Sequence, residues 1–131
     1  MSRTVLLVEI EPAVRKLLRL RFELAGLTVL DAASGERALA LFRAHRASIA
    51  AMVSGELSDP IDGHALLQAV RAIDPDLPVF FFLSQSLPHD VFQAGVEVYL
   101  KPHGLGDLCQ SVVDTAGCPS DDARPLAGSR F

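Results

Sequence analysis

Val5-Leu6-Leu7-Val8-Glu9-Ile10-Glu11-Pro12-Ala13-Val14-Arg15-Lys16-Leu17-Leu18 decides how this chain is read. Val5 to Val8 form a continuous apolar run, the pattern of a strand covered on both faces of a parallel sheet. Pro12 then sits where the first turn of a helix needs no N–H. Apolar residues at Val14, Leu17, Leu18, Leu24 and Ala25 mark the expected inner face of that helix, and Gly26 its end. Between strand and helix lies a short acidic corner, Glu9-Ile10-Glu11.

The same alternation of apolar run and helical pattern recurs five times along the chain. Thr28-Val29-Leu30 is the second strand. Ser34 is placed to cap the second helix, with Glu36 near its positive end and Ala38, Leu39, Leu41 and Phe42 on its apolar stripe. Ile49 to Ser54 is the third strand and leads into a loop ending at Asp62-Gly63. Leu66, Leu67, Val70 and Ile73 define the third helix. Val79-Phe80-Phe81-Phe82-Leu83 is the most apolar run and is expected at the centre of the sheet. A short helical segment from Pro88 to Ala94 precedes a fifth strand, Val96 to Leu100. Leu105, Leu108, Cys109, Val112, Val113 and Ala116 form the stripe of the last helix, which Gly117 ends. Residues 1–117 thus read as one domain, and 118–131, rich in Pro, Ser, Asp and Arg without a period, as a flexible tail.

Strands separated by helices pair in parallel through right-handed crossovers, so the expected fold is an α/β three-layer sandwich with strand order 2-1-3-4-5. In that order the functional crevice lies at the carboxyl ends of the first and third strands. Glu9, Ile10, Glu11, Gly55 and Glu56 fall there.

Composition narrows the function classes. A formal net charge of −4 gives no basic footprint for nucleic acid. Arg15, Lys16, Arg19 and Arg21 cluster on the first helix, either as a solvated face or as a docking site for an acidic partner. Cys109 and Cys118 are too few for a disulfide framework, and Cys109 falls on an apolar stripe as a core thiol. The N-terminal apolar run is too short for a secretory core or a membrane span, so a cytoplasmic protein is expected. His45, His64, His89 and His103 lack zinc-type spacing, and no nucleophile elbow or phosphate-binding glycine loop is present. The expectation is a protein that is not an enzyme and carries no cofactor or metal.

In its motifs the chain resembles the receiver domain of bacterial two-component response regulators, a flavodoxin-like fold. The resemblance covers roughly residues 3–116. It rests on the acidic corner after Val5-Leu6-Leu7-Val8, on Ala33-Ser34-Gly35-Glu36-Arg37-Ala38-Leu39, on Asp62-Gly63, and on Val98-Tyr99-Leu100-Lys101-Pro102. Each motif is weak alone; four in order are specific.

What the resemblance implies about the site is a depleted set. The family uses two acidic residues after the first strand and an acceptor aspartate after the third to hold Mg²⁺. A Ser or Thr after the fourth strand and a Lys after the fifth bind the phosphoryl oxygens. Carried across, Glu9 takes the first acidic position and Ile10 the second, where an aliphatic chain ligates nothing. Gly55 takes the acceptor position; anchoring on Pro60 instead of Asp62-Gly63 moves that position to Glu56. Either way no aspartate is left to accept phosphate. Ser84 and Lys101 keep the switch positions, although the segment from Gly95 to Pro102 is one residue shorter than the family pattern. Glu9 is either a residual metal ligand or, with Ile10 and Gly55 beside it, a surface carboxylate paired with Lys101, the pair being the expectation. Ser84 is either a surviving switch hydroxyl or a polar strand end. Tyr99 is either the aromatic that reports activation or a static part of a binding face.

Three readings follow. One is an atypical stand-alone receiver that is not phosphorylated and acts by protein–protein interaction. Its partner would be a histidine kinase, a phosphotransfer protein or another regulator, met on the face of the fourth and fifth helices with the fifth strand, and a homodimer is possible. Another is a receiver-like sensor of a small ligand in the emptied crevice. The third is a receiver fragment of a larger regulator.

Overall fold

Alternate side chains of the first strand, β1 (Thr4–Val8), point to opposite faces of the sheet, and every one of them is buried. Val5 and Leu7 enter one core cluster, Leu6 and Val8 the other. A strand buried on both faces has no polar side to show, which is why its sequence reads as an unbroken apolar run. The computed structural model describes residues 3–57, 62–84 and 95–117. The expected short helix from Pro88 to Ala94 and the tail 118–131 lie outside the described residues.

The other elements follow in chain order: α1 (Pro12–Leu24), β2 (Thr28–Ala32), α2 (Gly35–His45), β3 (Ile49–Ser54), α3 (Gly63–Ile73), β4 (Val79–Leu83), β5 (Val96–Leu100) and α4 (Leu105–Ala116). The strands form one parallel sheet of order β2-β1-β3-β4-β5, as the alternation of runs and helices predicts. α1 and α4 cover the face that holds Leu18, Phe22, Leu108 and Val112. α2 and α3 cover the face that holds Phe42, Leu66, Leu67 and Val70. Each fully buried Leu or Phe contributes on the order of 1.5–3 kcal/mol.

Local signals fix where the helices begin and end. The Ser34 side chain accepts from the N–H of Arg37, and Asp62 accepts from that of Ala65 at 2.8 Å, satisfying donors that the helix itself leaves open. Gly26, at φ +92°, turns the chain out of α1 in a conformation that side chains disfavour.

Two expectations are corrected. Val79–Leu83 is not the middle strand: β3 is, and β4 lies between it and the edge strand β5. β4 is apolar throughout because helices cover both of its faces, which follows from burial and not from position in the order. The inner face of α1 is also shifted. Leu18 and Phe22 are buried, whereas Leu17 and Leu24 are 42% and 76% exposed, and Ala25 is exposed too. α1 carries two apolar stripes, and sequence alone does not say which one faces the sheet.

Candidate functional site

Topology brings β1 and β3 side by side with Val8 opposite Ser54, and the N–H of Gly55 donates to the Val8 carbonyl at 2.8 Å. The residues that follow each strand are therefore neighbours at the carboxyl edge of the sheet, where the strand order reverses. Lys101 joins them from the end of β5, its N–H bonded to the Leu83 carbonyl at 2.8 Å. Glu9, Glu11, Glu56, Ser84 and Lys101 thus meet across more than ninety residues of sequence.

Glu9 is the inner member of the group. It is 1% exposed, so the surface carboxylate expected from sequence is instead a buried one. Its Oε2 accepts from the N–H of Glu11 at 3.1 Å. Arg15 Nη1 donates to its carbonyl at 2.8 Å and fixes the backbone of the acidic corner. Glu9 Oε1 accepts no hydrogen bond among the described residues; Lys101 Nζ stands 3.4 Å from it. The expected pair between Glu9 and Lys101 is present, and the shortened β5 corner does not prevent the lysine from reaching the crevice.

Gly55 faces this carboxylate directly. A Cβ built on it would lie 2.7 Å from Glu9 Cδ and closer still to Oε1, a separation that real side chains do not adopt. Glu9 occupies the space that any side chain at position 55 would need. Glu56, the next residue, turns towards β4. Its Oε2 accepts from the Ser84 N–H at 2.6 Å, and its Oε1 from the Ser84 hydroxyl at 3.2 Å.

Lys101 closes the arrangement. Its Nζ lies 3.4 Å from Glu9, 3.5 Å from Glu11 and 3.7 Å from Glu56, while its ammonium also stands 5.7 Å from the centre of the Phe82 ring. Three carboxylates converge on one ammonium, which is itself mostly buried. Ile10 stands beside them, 42% exposed, and its carbonyl lies 3.5 Å from Arg15 Nη1.

The Mg²⁺ that the family resemblance implies does not fit this donor set. Neither Ile10 nor Gly55 offers an oxygen from its side chain, and the place between the carboxylates is taken by a cation of the chain itself. Among the described residues no group of three or more His, Cys, Asp or Glu side chains is arranged to hold a metal ion.

Tyr99 lies apart from the crevice. Its hydroxyl shares a hydrogen bond with Ser111 Oγ on α4 at 2.6 Å and donates to Glu97 on its own strand. Burial pushes the phenol above its ordinary value, the Glu97 carboxylate pushes the same way, and Ser111 opposes them. The folded state thus keeps the proton longer than the unfolded chain. Stability from Tyr99 is complete below pH 10.0 and is lost as pH climbs from there through the folded value. Because the chain has one tyrosine and no tryptophan, phenolate absorbance reports this group alone. Its titration midpoint is expected above that of a free tyrosine, and Glu97→Gln is expected to lower it. A midpoint at the free value would show that Tyr99 is not held this way.

Sequence reading placed Glu9, Gly55, Glu56, Ser84 and Lys101 at this end of the sheet. It missed that Glu56 binds Ser84 and that Glu11 joins Lys101. Partners 28 and 90 positions apart leave no periodic signal.

The sequence profile of the response regulator receiver domain matches residues 5–113. Transcriptional regulatory protein GlrR of Escherichia coli (strain K12) is 31% identical over 126 residues, covering 92% of this chain and 28% of the relative. Sensor kinase CckA of Brucella abortus (strain 2308) is 38% identical over 118 residues, covering 85% of this chain and 12% of the relative. The chain therefore spans less than a third of the length of either. The solved receiver domain from the hybrid histidine kinase CckA superposes with a TM-score of 0.73 at 29% identity, covering 86% of this chain and 98% of that one. Among the described residues no helix is long and apolar enough to cross a membrane. Strand order, the acidic corner after β1 and the lysine after β5 agree with that match, and the chain belongs to the response regulator receiver domain family of two-component signalling.

Proposed function

We propose that this receiver domain signals without being phosphorylated and acts by binding another protein. The observation that carries the reading is the carboxylate of Glu9 lying where a side chain at position 55 would stand. Gly55 has no nucleophile, and the Glu9 carboxylate stands where its Cβ would be. The groups that the family resemblance assigns to the phosphoryl oxygens, Ser84 and Lys101, are already engaged by Glu56. Glu56 serves as a resident anion that ties the β3 and β4 loops together and keeps Lys101 turned inward. No charge has to arrive for that arrangement to form.

The same filling disfavours a small-ligand sensor, because the crevice next to Gly55 is not emptied but occupied by Glu9. Partner recognition falls to a face that includes β5 and α4, where Tyr99 is anchored to Ser111 as a fixed part of the surface. The relatives, a transcriptional regulatory protein and a sensor kinase, are consistent with a histidine kinase, a phosphotransfer protein or another regulator as the class of partner.

The test is intact-mass analysis of the full chain after incubation with acetyl phosphate and Mg²⁺. The expected spectrum contains unmodified protein alone. A phosphoryl adduct that maps to Glu56 or Glu9 would overturn the proposal.

A further inference from the structure

The second apolar stripe of α1 faces solvent. Leu17, Leu20 and Leu24 are 42%, 52% and 76% exposed, and Ala13 on the same side is exposed as well. Their spacing, 13-17-20-24, alternates four and three residues, the interval at which one helix presents a seam to another helix. The sheet does not use this seam; Val14, Leu18 and Phe22 face inward instead. Of the four basic residues on α1, Arg15 and Arg19 are drawn to Asp31 on β2, at 3.8 and 3.0 Å, and Arg19 Nε also donates to Glu23 Oε2 at 2.9 Å, a pair that leaves the Glu23 side chain 45% exposed. Lys16 and Glu23 flank the seam on one edge and Arg21 on the other.

We propose that this face binds a second copy of the chain, with the two α1 helices packed antiparallel about a two-fold axis. Helix geometry selects that occupant and that direction. In an antiparallel pair like edges of the two seams adjoin. A centre midway between Arg19 and Leu20 sets Lys16 level with the partner's Glu23, and the symmetry repeats the contact. The same centre places the partner's Leu24, the most exposed leucine, level with Arg15 and so between Ala13 and Leu17, and the four apolar residues interleave along the axis. A parallel pairing would set Lys16 beside the partner's Arg21 and repel. The antiparallel one has two costs, the approach of the two Arg21 side chains near the axis and the sharing of each Glu23 with Arg19 of its own helix.

The seam exposes on the order of a few hundred Å² per copy, short of the roughly 800 Å² per partner of a stable complex. The dimer is therefore weak and dependent on concentration. It leaves the β5–α4 face free and does not rest on the phosphorylation reading.

Sedimentation equilibrium of the full chain over a rising concentration series tests the proposal. The weight-average mass is expected to climb towards twice that of the monomer. Leu20→Glu, at an exposed position that leaves the core intact, is expected to abolish the rise. Lys16→Glu and Glu23→Lys are each expected to weaken association, and the double swap to restore it; Arg21→Ala is expected to strengthen it. Mass that stays monomeric throughout, as it would if residues 118–131 covered the seam, overturns the proposal. So does a dimer that Leu20→Glu leaves intact, or a double swap that fails to restore association.

Discussion

Lys101→Met is expected to destabilise the fold by about 3–5 kcal/mol, the typical cost of removing one partner from a buried ion pair. The reason lies with Glu9. Its side chain is 2% exposed, and Lys101, itself only 15% exposed, is the cation nearest to it. Glu11 and Glu56 are exposed enough for water to replace what they lose. Glu9 has no such recourse, since Gly55, Val8 and the acidic corner wall it in. Chemical denaturation of the two proteins measures the difference directly. Adding Glu9→Gln to the variant is expected to return most of the loss, because an amide in that position needs no cation. A loss below about 1 kcal/mol, the scale of an exposed pair, would mean that Glu9 finds solvent and that the ammonium is not its counter-ion.

Gly55→Ala is expected to destabilise by about 1–3 kcal/mol, as overpacking does in a filled site. The methyl would have to push aside the Glu9 carboxylate, which lies 2.7 Å from the ideal Cβ at its Cδ and nearer at Oε1. Glu9→Ala removes the obstacle. The two substitutions are thus expected to be non-additive, with a coupling of about 1 kcal/mol or more in a double-mutant cycle. Full additivity would place the Glu9 side chain elsewhere. The same geometry bears on the proposed lack of phosphorylation. Gly55→Asp alone adds a fourth carboxylate to a group that has one ammonium, and it meets Glu9 before it meets any phosphoryl donor. It is expected to remain unlabelled by acetyl phosphate. Combining it with Ile10→Asp and Glu9→Asp adds a second acidic side chain and clears the space, and is the fair trial of an acceptor at position 55.

The crevice is filled by its own side chains. A glycine at position 55 and an aliphatic chain at position 10 could by themselves leave a gap at the strand ends. Here the Glu9 carboxylate fills the space beside Gly55, and Glu56 takes the hydroxyl and N–H of Ser84. Gly55 then makes room for the Glu9 carboxylate as well as offering no nucleophile. Any residue with a Cβ there would displace the Glu9 carboxylate, the buried one of the three that face Lys101.

Much of this was legible from residues alone. Continuous apolar runs such as Val5 to Val8, separated by helical periods, dictate parallel strands with helices on both faces, and hence the order in which they lie. Capping residues Ser34 and Asp62 announce their helices because they act on N–H groups three residues away. The chemistry of the crevice was partly readable too, since Ile10 cannot ligate and Gly55 cannot accept a phosphoryl group wherever the chain puts them. Tertiary structure decided the rest. Whether Leu17 or Phe22 faces the sheet depends on how α1 is rotated against β1, and both stripes satisfy the helical period. That Glu9 is buried, that Glu56 binds Ser84, and that Lys101 gathers Glu9, Glu11 and Glu56 all depend on loops that only the closed sheet brings together. Local sequence encodes contacts within a few residues through backbone geometry; contacts between strand ends exist only once the burial of both faces has set the register.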